Sequence, residues 1–139
     1  MIRAVLDANV LTAMFPATTG TLLDLRRRWE AGLFVIVYSD YIVSEVERAW
    51  SKPYWTSRYP RHASAEALAL LSDLAERIQL HIKVTGVAAH RQDDLVLSAA
   101  VSAAAALLIT GDHQLLELRR YAGVRLINPR QFVDLLNRL

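Results

Sequence analysis

The sequence predicts an α/β fold, a three-layer α/β/α arrangement with a mostly parallel central sheet of four or five strands. Three observations carry this prediction. Short apolar runs rich in β-branched residues are typical of buried parallel strands. The stretches between them have apolar residues three and four positions apart, which is typical of amphipathic helices. Strands and helices also alternate along the chain, which favours a parallel sheet with helices on both faces. With 139 residues, the chain is expected to form a single domain spanning residues 1–139.

Four apolar runs are predicted to be strands, and a fifth, weaker one is placed near the middle of the chain. The first run contains one charged residue, Arg3, and the fourth ends at the Asn128-Pro129 step, which is typical of a turn. The predicted strands are Ile2 to Leu6, Leu33 to Val37, Leu107 to Thr110 and Val124 to Ile127, with the weaker one near Leu80 to Val84.

Five stretches are predicted to be helices from their apolar spacing. They are Thr21 to Ala31, Asp40 to Trp50, Ser64 to Arg77, Asp93 to Ala106 and Pro129 to Leu136. One segment is predicted to be irregular, "SKPYWTSRYPRH" at residues 51–62, in which two prolines interrupt a basic and aromatic run. We call residues 51–62 the basic-aromatic segment.

Composition excludes several classes of function. The chain has no cysteine, so it has neither a disulfide framework nor thiolate or zinc-finger chemistry. Its longest apolar stretch, Ala99 to Ile109, is too short to cross a bilayer, and Asp7 interrupts any signal-peptide core. A cytoplasmic protein is therefore expected. The net charge is only +2, yet 14 of the 16 basic residues are arginines, whose guanidinium groups suit phosphate. A nucleic-acid partner is permitted without being required.

Two acids follow predicted strands directly. Asp7 comes after the first strand, and Asp112 comes after the strand that ends at Thr110. Because the carboxyl ends of parallel strands meet at one edge of the sheet, both acids are expected at that edge, where ligands of such folds collect. Taken singly, each acid is also explained as an N-cap that accepts hydrogen bonds from the first amides of a helix.

Three further acids lie at helix positions near the same edge. Glu45 lies beside the inward stripe of its helix, whereas a purely solvated residue would lie opposite it. Asp93 aligns with the inward-facing Val96 and Leu97, which places it in the cluster. Asp94 starts a polar stripe and is expected on the surface or in a supporting position, although one residue of register would exchange the two.

Four carboxylates at one edge repel each other by about 4 kcal/mol per pair at contact distance with an effective dielectric of about 20. Either raised pKa values or a bound cation must relieve this repulsion. Ligation by oxygen alone, without His or Cys, selects Mg²⁺ or Mn²⁺ over zinc. The sequence therefore predicts one or two Mg²⁺ or Mn²⁺ ions at this edge.

The segments "VLDANVLTA", "SDYIVSEVERAW", "HRQDDLVLSAAVSAAAALLITGDHQLL" and "VRLINPRQFVDLL", in this order and spacing, resemble a PIN-domain ribonuclease. The resemblance covers nearly the whole chain and is greatest to the toxin components of type II toxin-antitoxin systems (VapC-like). It implies a PIN-like, Rossmann-like fold and Mg²⁺- or Mn²⁺-dependent endonucleolytic cleavage of RNA. It also implies a cognate antitoxin protein and a homodimer as partners.

The resemblance further assigns roles to individual residues. It implies Asp7, Glu45, Asp93 and Asp112 as catalytic, the same acids together with Asp94 as metal ligands, and Asn9 and Thr110 as polar support. Branches of the family place the third acid at either Asp93 or Asp94, so that choice stays open.

RNA requires cationic and stacking surfaces, and the basic-aromatic segment offers both. The candidates are Lys52, Tyr54, Trp55, Arg58 and Arg61. The alternative, that these aromatics pack on the core or bind a partner protein, is equally consistent with the sequence.

Two other functions compete with the nuclease. A receiver-like signalling module has similar size and alternation, but it has a pair of acids near its first strand and a lysine before the proline that follows the last strand; this chain has Asp7 alone and Asn128. An inactive PIN-like domain that only binds RNA or a partner is the second alternative. It should tolerate Asp7→Asn, whereas a nuclease should lose turnover.

Overall fold

The computed structural model describes residues 1–139 as six strands and eight helices. The strands are β1 (Arg3–Leu6), β2 (Val35–Tyr38), β3 (Glu76–Arg77), β4 (Leu107–Ile109), β5 (Arg120–Tyr121) and β6 (Val124–Ile127). The helices are α1 (Ala8–Met14), α2 (Gly20–Glu30), α3 (Asp40–Trp50), α4 (Pro53–Thr56), α5 (Arg61–Leu74), α6 (Arg91–Ser102), α7 (His113–Leu116) and α8 (Pro129–Asn137). None of these helices is long and apolar enough to cross a membrane.

The strands form one sheet in the order β3-β2-β1-β4-β6-β5. All neighbours are parallel except β5, which runs antiparallel to β6. The predicted α/β fold with a mostly parallel sheet is therefore confirmed, with six strands in place of four or five. The two additional strands are two-residue edge strands, which carry no apolar run from which they could be predicted.

The centre of the sheet is buried, as its apolar sequence requires. Leu6, Leu108 and Ile109 are completely inaccessible to solvent and belong to one hydrophobic core of 35 residues. In the register of β1 and β4, Leu6 pairs with Ile109. The residues that follow these two strands, Asp7 and Thr110, are therefore neighbours at the carboxyl edge of the sheet.

Aromatic residues join the helices beside the sheet. Phe15 makes edge-to-face contacts with Trp29 and Trp50, at centroid distances of 5.8 and 5.9 Å. The indole Nε1 of Trp50 donates a hydrogen bond of 3.1 Å to the carbonyl oxygen of Thr12. These contacts fix α1, α2 and α3 against one another and orient the amino ends of α1 and α3 at the carboxyl edge.

The prediction of a weak strand at Leu80 to Val84 is wrong. The chain pairs with β2 earlier, through Glu76 and Arg77, whose side chains form ion pairs with Arg3 and Asp40. The amides at positions 81, 82 and 84 instead donate to the hydroxyls of Ser102 and Ser98 on α6. Side chains of a helix thus satisfy the backbone that a strand ladder would otherwise satisfy.

Helix boundaries also differ from the prediction. The helix expected at Ser64 to Arg77 runs from Arg61 to Leu74, and the one expected at Asp93 to Ala106 runs from Arg91 to Ser102. The basic-aromatic segment is not irregular throughout, because it contains α4 and the first two residues of α5. Its prolines are compatible with this: Pro53 is the first residue of α4, and Pro60 is the N-cap of α5.

Candidate active site

Asp7 lies at the carboxyl end of β1 and is buried, with 8% of its surface exposed. Its side chain makes no capping hydrogen bond to α1, although Asp7 is the N-cap residue of that helix. Its carboxylate instead accepts a hydrogen bond of 2.9 Å at Oδ2 from the hydroxyl of Thr110. The N-cap explanation is therefore insufficient for Asp7.

Asp112 is both a cap and a neighbour of Asp7. Its Oδ1 accepts hydrogen bonds from the amides of Gln114 and Leu115, so it caps α7. Oδ2 makes no hydrogen bond to the protein. The Thr110 hydroxyl also accepts a hydrogen bond of 3.1 Å from the amide of Asp112, which connects the two acids through one buried side chain. The capping alternative is correct for Asp112, and it leaves one oxygen free.

The carboxylates of Asp7 and Asp93 both lie within the electrostatic influence of Asp112. Burial raises the pKa of Asp7, the hydrogen bond from Thr110 and the backbone amides of Ala8 and Asn9 oppose the rise, and the charge of Asp112 adds to it. Burial also raises the pKa of Asp93 from the start of α6, and the charges of Asp112 and Asp7 contribute after it. These three acids thus converge on one region, which we call the acidic edge.

Glu45 lies near the acidic edge but is oriented toward another group. Its Oε1 forms an ion pair of 2.7 Å with Arg48, one turn further along α3, and its side chain is 25% exposed. Tyr41 lies one turn before Glu45. Burial raises the pKa of Tyr41, and Glu45, Asp7 and Asp93 add to the rise. Glu45, Asp7 and Asp93 thus all lie near Tyr41, and Arg48 neutralises the carboxylate of Glu45.

Asp94 has a different environment from Asp93. It is only 6% exposed, so of its two expected positions, on the surface or in a supporting role, the surface position is wrong. Its Oδ2 accepts from the amide of Gly86, and its Oδ1 accepts from the amides of Val87 and Ala88. The polar stripe predicted on α6 faces the chain segment 81–88, which it holds by hydrogen bonds, instead of solvent.

The predicted metal ligands do not form a closed cage in this arrangement. No three Asp, Glu or His side chains lie close enough together to hold a metal ion. Two of the predicted ligands are engaged elsewhere. Glu45 is paired with Arg48, and both oxygens of Asp94 accept hydrogen bonds from backbone amides. Asn9 is exposed and its side chain makes no hydrogen bond to the protein.

The basic-aromatic segment lies away from the acidic edge. Helix α3 begins at that edge and has 11 residues, so its far end at Trp50 is about 15 Å from Asp40. Tyr54 is 58% exposed, and the guanidinium of Arg58 lies 3.8 Å from its ring centroid. Trp55 is half-buried, whereas Lys52 and Arg61 are exposed. These five residues are not brought together with the acids.

Two residues that lie near the acids were not identified from the sequence. Tyr41 and Arg48 lie four residues before and three residues after Glu45, and residues at these spacings are neighbours on a helix surface. The signal was therefore present in the sequence. With Glu45, they line an open cavity of about 330 Å³ between α3 and the start of α6.

Comparison with known proteins decides between the candidate families. Residues 3–114 match the PIN domain family. The chain belongs to the PIN-domain family. PIN domains are generally nucleases, which supports a hydrolase and decides against the receiver-like alternative. No curated protein matches this PIN domain in sequence.

A solved structure shares the fold of this PIN domain. It is a chain in the crystal structure of VapBC2 from Rickettsia felis bound to a DNA fragment from their promoter. The likeness has a TM-score of 0.62 and 16% sequence identity, and it covers 91% of this chain and 98% of that chain. At this identity the likeness shows the fold alone.

Proposed function

We propose that this PIN domain is a metal-dependent endoribonuclease and the toxin of a toxin-antitoxin pair. The observation that carries the proposal is the convergence of Asp7, Asp93 and Asp112 at the carboxyl edge of a parallel sheet. Asp7 is buried there, its side chain makes no capping hydrogen bond to α1, and the pKa values of Asp7 and Asp93 are raised. Such an arrangement opposes folding unless it serves a ligand, and clustered perturbed carboxylates are typical of functional sites.

The residues at the acidic edge fit a hard divalent cation. All candidate donors are carboxylate oxygens, which Mg²⁺ and Mn²⁺ prefer. Asp112 keeps Oδ2 free of hydrogen bonds, and the Thr110 hydroxyl binds only Oδ2 of Asp7. Asp7, Asp93 and Asp112 are thus the residues that would hold one or two ions. Glu45 would join them after leaving Arg48, whereas Asp94 stays with the backbone of residues 86–88.

Bound Mg²⁺ or Mn²⁺ supplies polarisation of the scissile phosphoryl group and a lower pKa for an attacking water. The chain itself positions the acids. Thr110 holds Oδ2 of Asp7 and the backbone amide of Asp112, and the amides of Gln114 and Leu115 orient the carboxylate of Asp112. Arg48 releases Glu45 by turning to a phosphate oxygen of the RNA, which a guanidinium binds well.

The proposed partners follow from the shared fold. The similar structure is that of VapBC2 with a promoter DNA fragment, which supports an antitoxin as partner of this chain. We propose a homodimer in the cytoplasm, with the antitoxin bound to it. Co-expression with the product of the adjacent gene and measurement of the molar mass in solution test both partners.

The function is tested by incubating the purified protein with a mixed cellular RNA pool in Mg²⁺, in Mn²⁺ and in EDTA. Cleavage is expected with either ion and not with EDTA. Asp7→Asn, Asp93→Asn and Asp112→Asn should each remove cleavage while the protein remains folded. The sequenced fragment ends then identify the RNA and the cleavage site.

Asp73→Asn is the matched control, since Asp73 is exposed on α5 and makes no hydrogen bond or ion pair. It makes the same chemical change away from the acidic edge and should leave cleavage intact. If the folded wild-type protein cleaves no RNA with either ion and binds RNA as well as Asp7→Asn does, the chain is an inactive PIN-like binding domain.

A further inference from the structure

A second cavity lies on the opposite side of the acidic edge from α3. It is open, has a volume of about 460 Å³, and is lined by Arg119, Arg120 and Arg125 together with Leu116, Asn128 and Gln131. No acidic side chain lines it. We call it the arginine cavity.

The three arginines have no counter-charge in the protein. None of them takes part in an ion pair or a side-chain hydrogen bond, and all are exposed. In contrast, Arg3, Arg28 and Arg77 pair with carboxylates at 2.6 to 2.8 Å. The arginine cavity therefore concentrates positive charge that the fold does not neutralise.

Backbone geometry keeps these charges together. Arg120 lies directly opposite Arg125 in the antiparallel pair of β5 and β6, and like charges in that position destabilise a sheet. Arg119 has a φ of 58°, a left-handed conformation that is strained for a residue with a side chain. The repulsion between these guanidinium groups is offset when an anion binds there, because guanidinium groups bind phosphate oxygens through two parallel hydrogen bonds.

The arginine cavity is close to the acidic edge. Asp112 caps α7, and Leu116 at the end of the same four-residue helix lines the cavity. The separation along α7 is about 6 Å at 1.5 Å per residue. Asn128, the residue after β6, also lines the cavity and lies at the carboxyl edge of the sheet. A nucleic-acid strand with one phosphate at the acids can therefore place a neighbouring phosphate in the cavity.

We propose that Arg119, Arg120 and Arg125 form a phosphate-binding subsite for the RNA backbone beside the scissile phosphate. This inference rests on the proposed RNA substrate. It adds the path that the RNA backbone follows on leaving the acidic edge. The side chains bind phosphate and read no base, so the subsite sets the position and affinity of the RNA and not its sequence.

The test compares Arg120→Gln/Arg125→Gln with the parent protein, both carrying Asp7→Asn and kept in EDTA so that RNA stays intact. Binding of a labelled single-stranded RNA of about 12 nucleotides is measured at several salt concentrations. Each phosphate contact on a single strand contributes about 0.7 to the slope of log affinity against log salt. Loss of two contacts should reduce the slope by about 1.4.

Arg27→Gln/Arg138→Gln is the charge-matched control, because both residues are exposed and form no ion pair; its slope should equal that of the parent. Arg120→Lys/Arg125→Lys retains the charges and should restore most of the slope. If Arg120→Gln/Arg125→Gln is folded and keeps the parent slope, the subsite does not exist.

Inorganic phosphate separates this inference from the proposed function. It should raise the melting temperature of the parent protein more than that of Arg120→Gln/Arg125→Gln. If the parent protein fails to bind RNA, the proposed function fails whatever phosphate does. If phosphate raises the melting temperature of the parent protein but RNA does not bind, the arginine cavity is a site for a small anion and not an RNA subsite. If phosphate raises the melting temperatures of both proteins equally, the cavity binds no anion.

Discussion

The hydroxyl of Thr110 donates a hydrogen bond of 2.9 Å to Oδ2 of Asp7, across the register of two neighbouring parallel strands. Thr110 is fully buried, and its oxygen also accepts from the amide of Asp112. One hydroxyl therefore holds the carboxylate of Asp7 and the backbone of Asp112, two acids that follow different strands. Its position in the sequence, directly after a buried strand, is sufficient to produce this contact.

Thr110→Val keeps the shape of the side chain and removes this hydroxyl. The pKa of Asp7 should rise further, because the hydrogen bond that opposes the rise is lost. Loss of such a supporting contact typically lowers metal affinity or activity by about 10- to 100-fold. RNA cleavage at saturating Mg²⁺ should fall within this range, with the acid limb of the pH-rate profile shifted to higher pH.

Thr12→Val is the matched control for Thr110→Val. Thr12 is also buried, but its hydroxyl donates to the carbonyl oxygen of Ala8 within α1. Its replacement should leave the pH-rate profile unchanged. A Thr110→Val protein with the wild-type profile and activity contradicts the role given to this hydroxyl.

The free energy of unfolding of the metal-free protein should depend on the ionisation of Asp7. The pKa of Asp7 is raised in the folded state above its ordinary value of 3.8, so the folded protein binds more protons than the unfolded chain between the two values. This contribution to stability is present below pH 3.8 and is lost as the pH rises through the raised value. Asp7→Asn should therefore melt at a higher temperature than wild type at neutral pH.

Melting curves in EDTA across this pH range test the dependence. The advantage of Asp7→Asn should disappear below pH 3.8, where the wild-type carboxyl is also neutral. Mg²⁺ should raise the melting temperature of the wild type more than that of Asp7→Asn, because the ion binds the folded state. An advantage that is constant at every pH shows that the charge of Asp7 is not its cause.

The sequence predicted the central strands and the acids that follow them for the same reason. Apolar runs identify buried parallel strands, and the parallel arrangement brings Asp7 and Asp112 to one edge. The two-residue strand Glu76–Arg77 gave no such signal, because it is charged and held by ion pairs with Arg3 and Asp40. Its pairing depends on contacts between residues distant in sequence.

The environment of Asp94 could not be predicted from helical spacing. Spacing grouped Asp94 with Ser98 and Ser102 on one face of α6, which is correct, but it does not identify what covers that face. The covering segment, residues 81–88, has no regular structure of its own. Its amides need acceptors, and the stripe supplies them. A polar stripe on an otherwise apolar helix therefore faces either solvent or an irregular segment whose backbone amides it binds.

Asp93→Asn and Asp94→Asn make the same change at adjacent positions and should have opposite effects. Asp93→Asn should remove RNA cleavage and should not lower the free energy of unfolding at neutral pH, because the pKa of Asp93 is raised in the folded state. Asp94→Asn should lower the free energy of unfolding by about 2–3 kcal/mol, since hydrogen bonds to a buried charge are strong, and should retain cleavage at low temperature. Urea unfolding and RNA cleavage are measured on both variants. A stable Asp94→Asn that is inactive would identify Asp94 as the third ligand.

Tyr54→Ala should weaken binding only of RNA long enough to reach the basic-aromatic segment. The segment lies at the end of α3 remote from the acidic edge, and base stacking on an exposed aromatic ring contributes about 1–3 kcal/mol. Affinity for an RNA of about 16 nucleotides should fall about 5- to 150-fold, whereas affinity for one of about 4 nucleotides should not change. Tyr54→Phe keeps the ring that Arg58 covers and should bind as wild type does. If folded Tyr54→Ala binds the long RNA as tightly as wild type does, the basic-aromatic segment lies outside the RNA interface. A strand that crosses the segment would contact Tyr54, its most exposed aromatic residue.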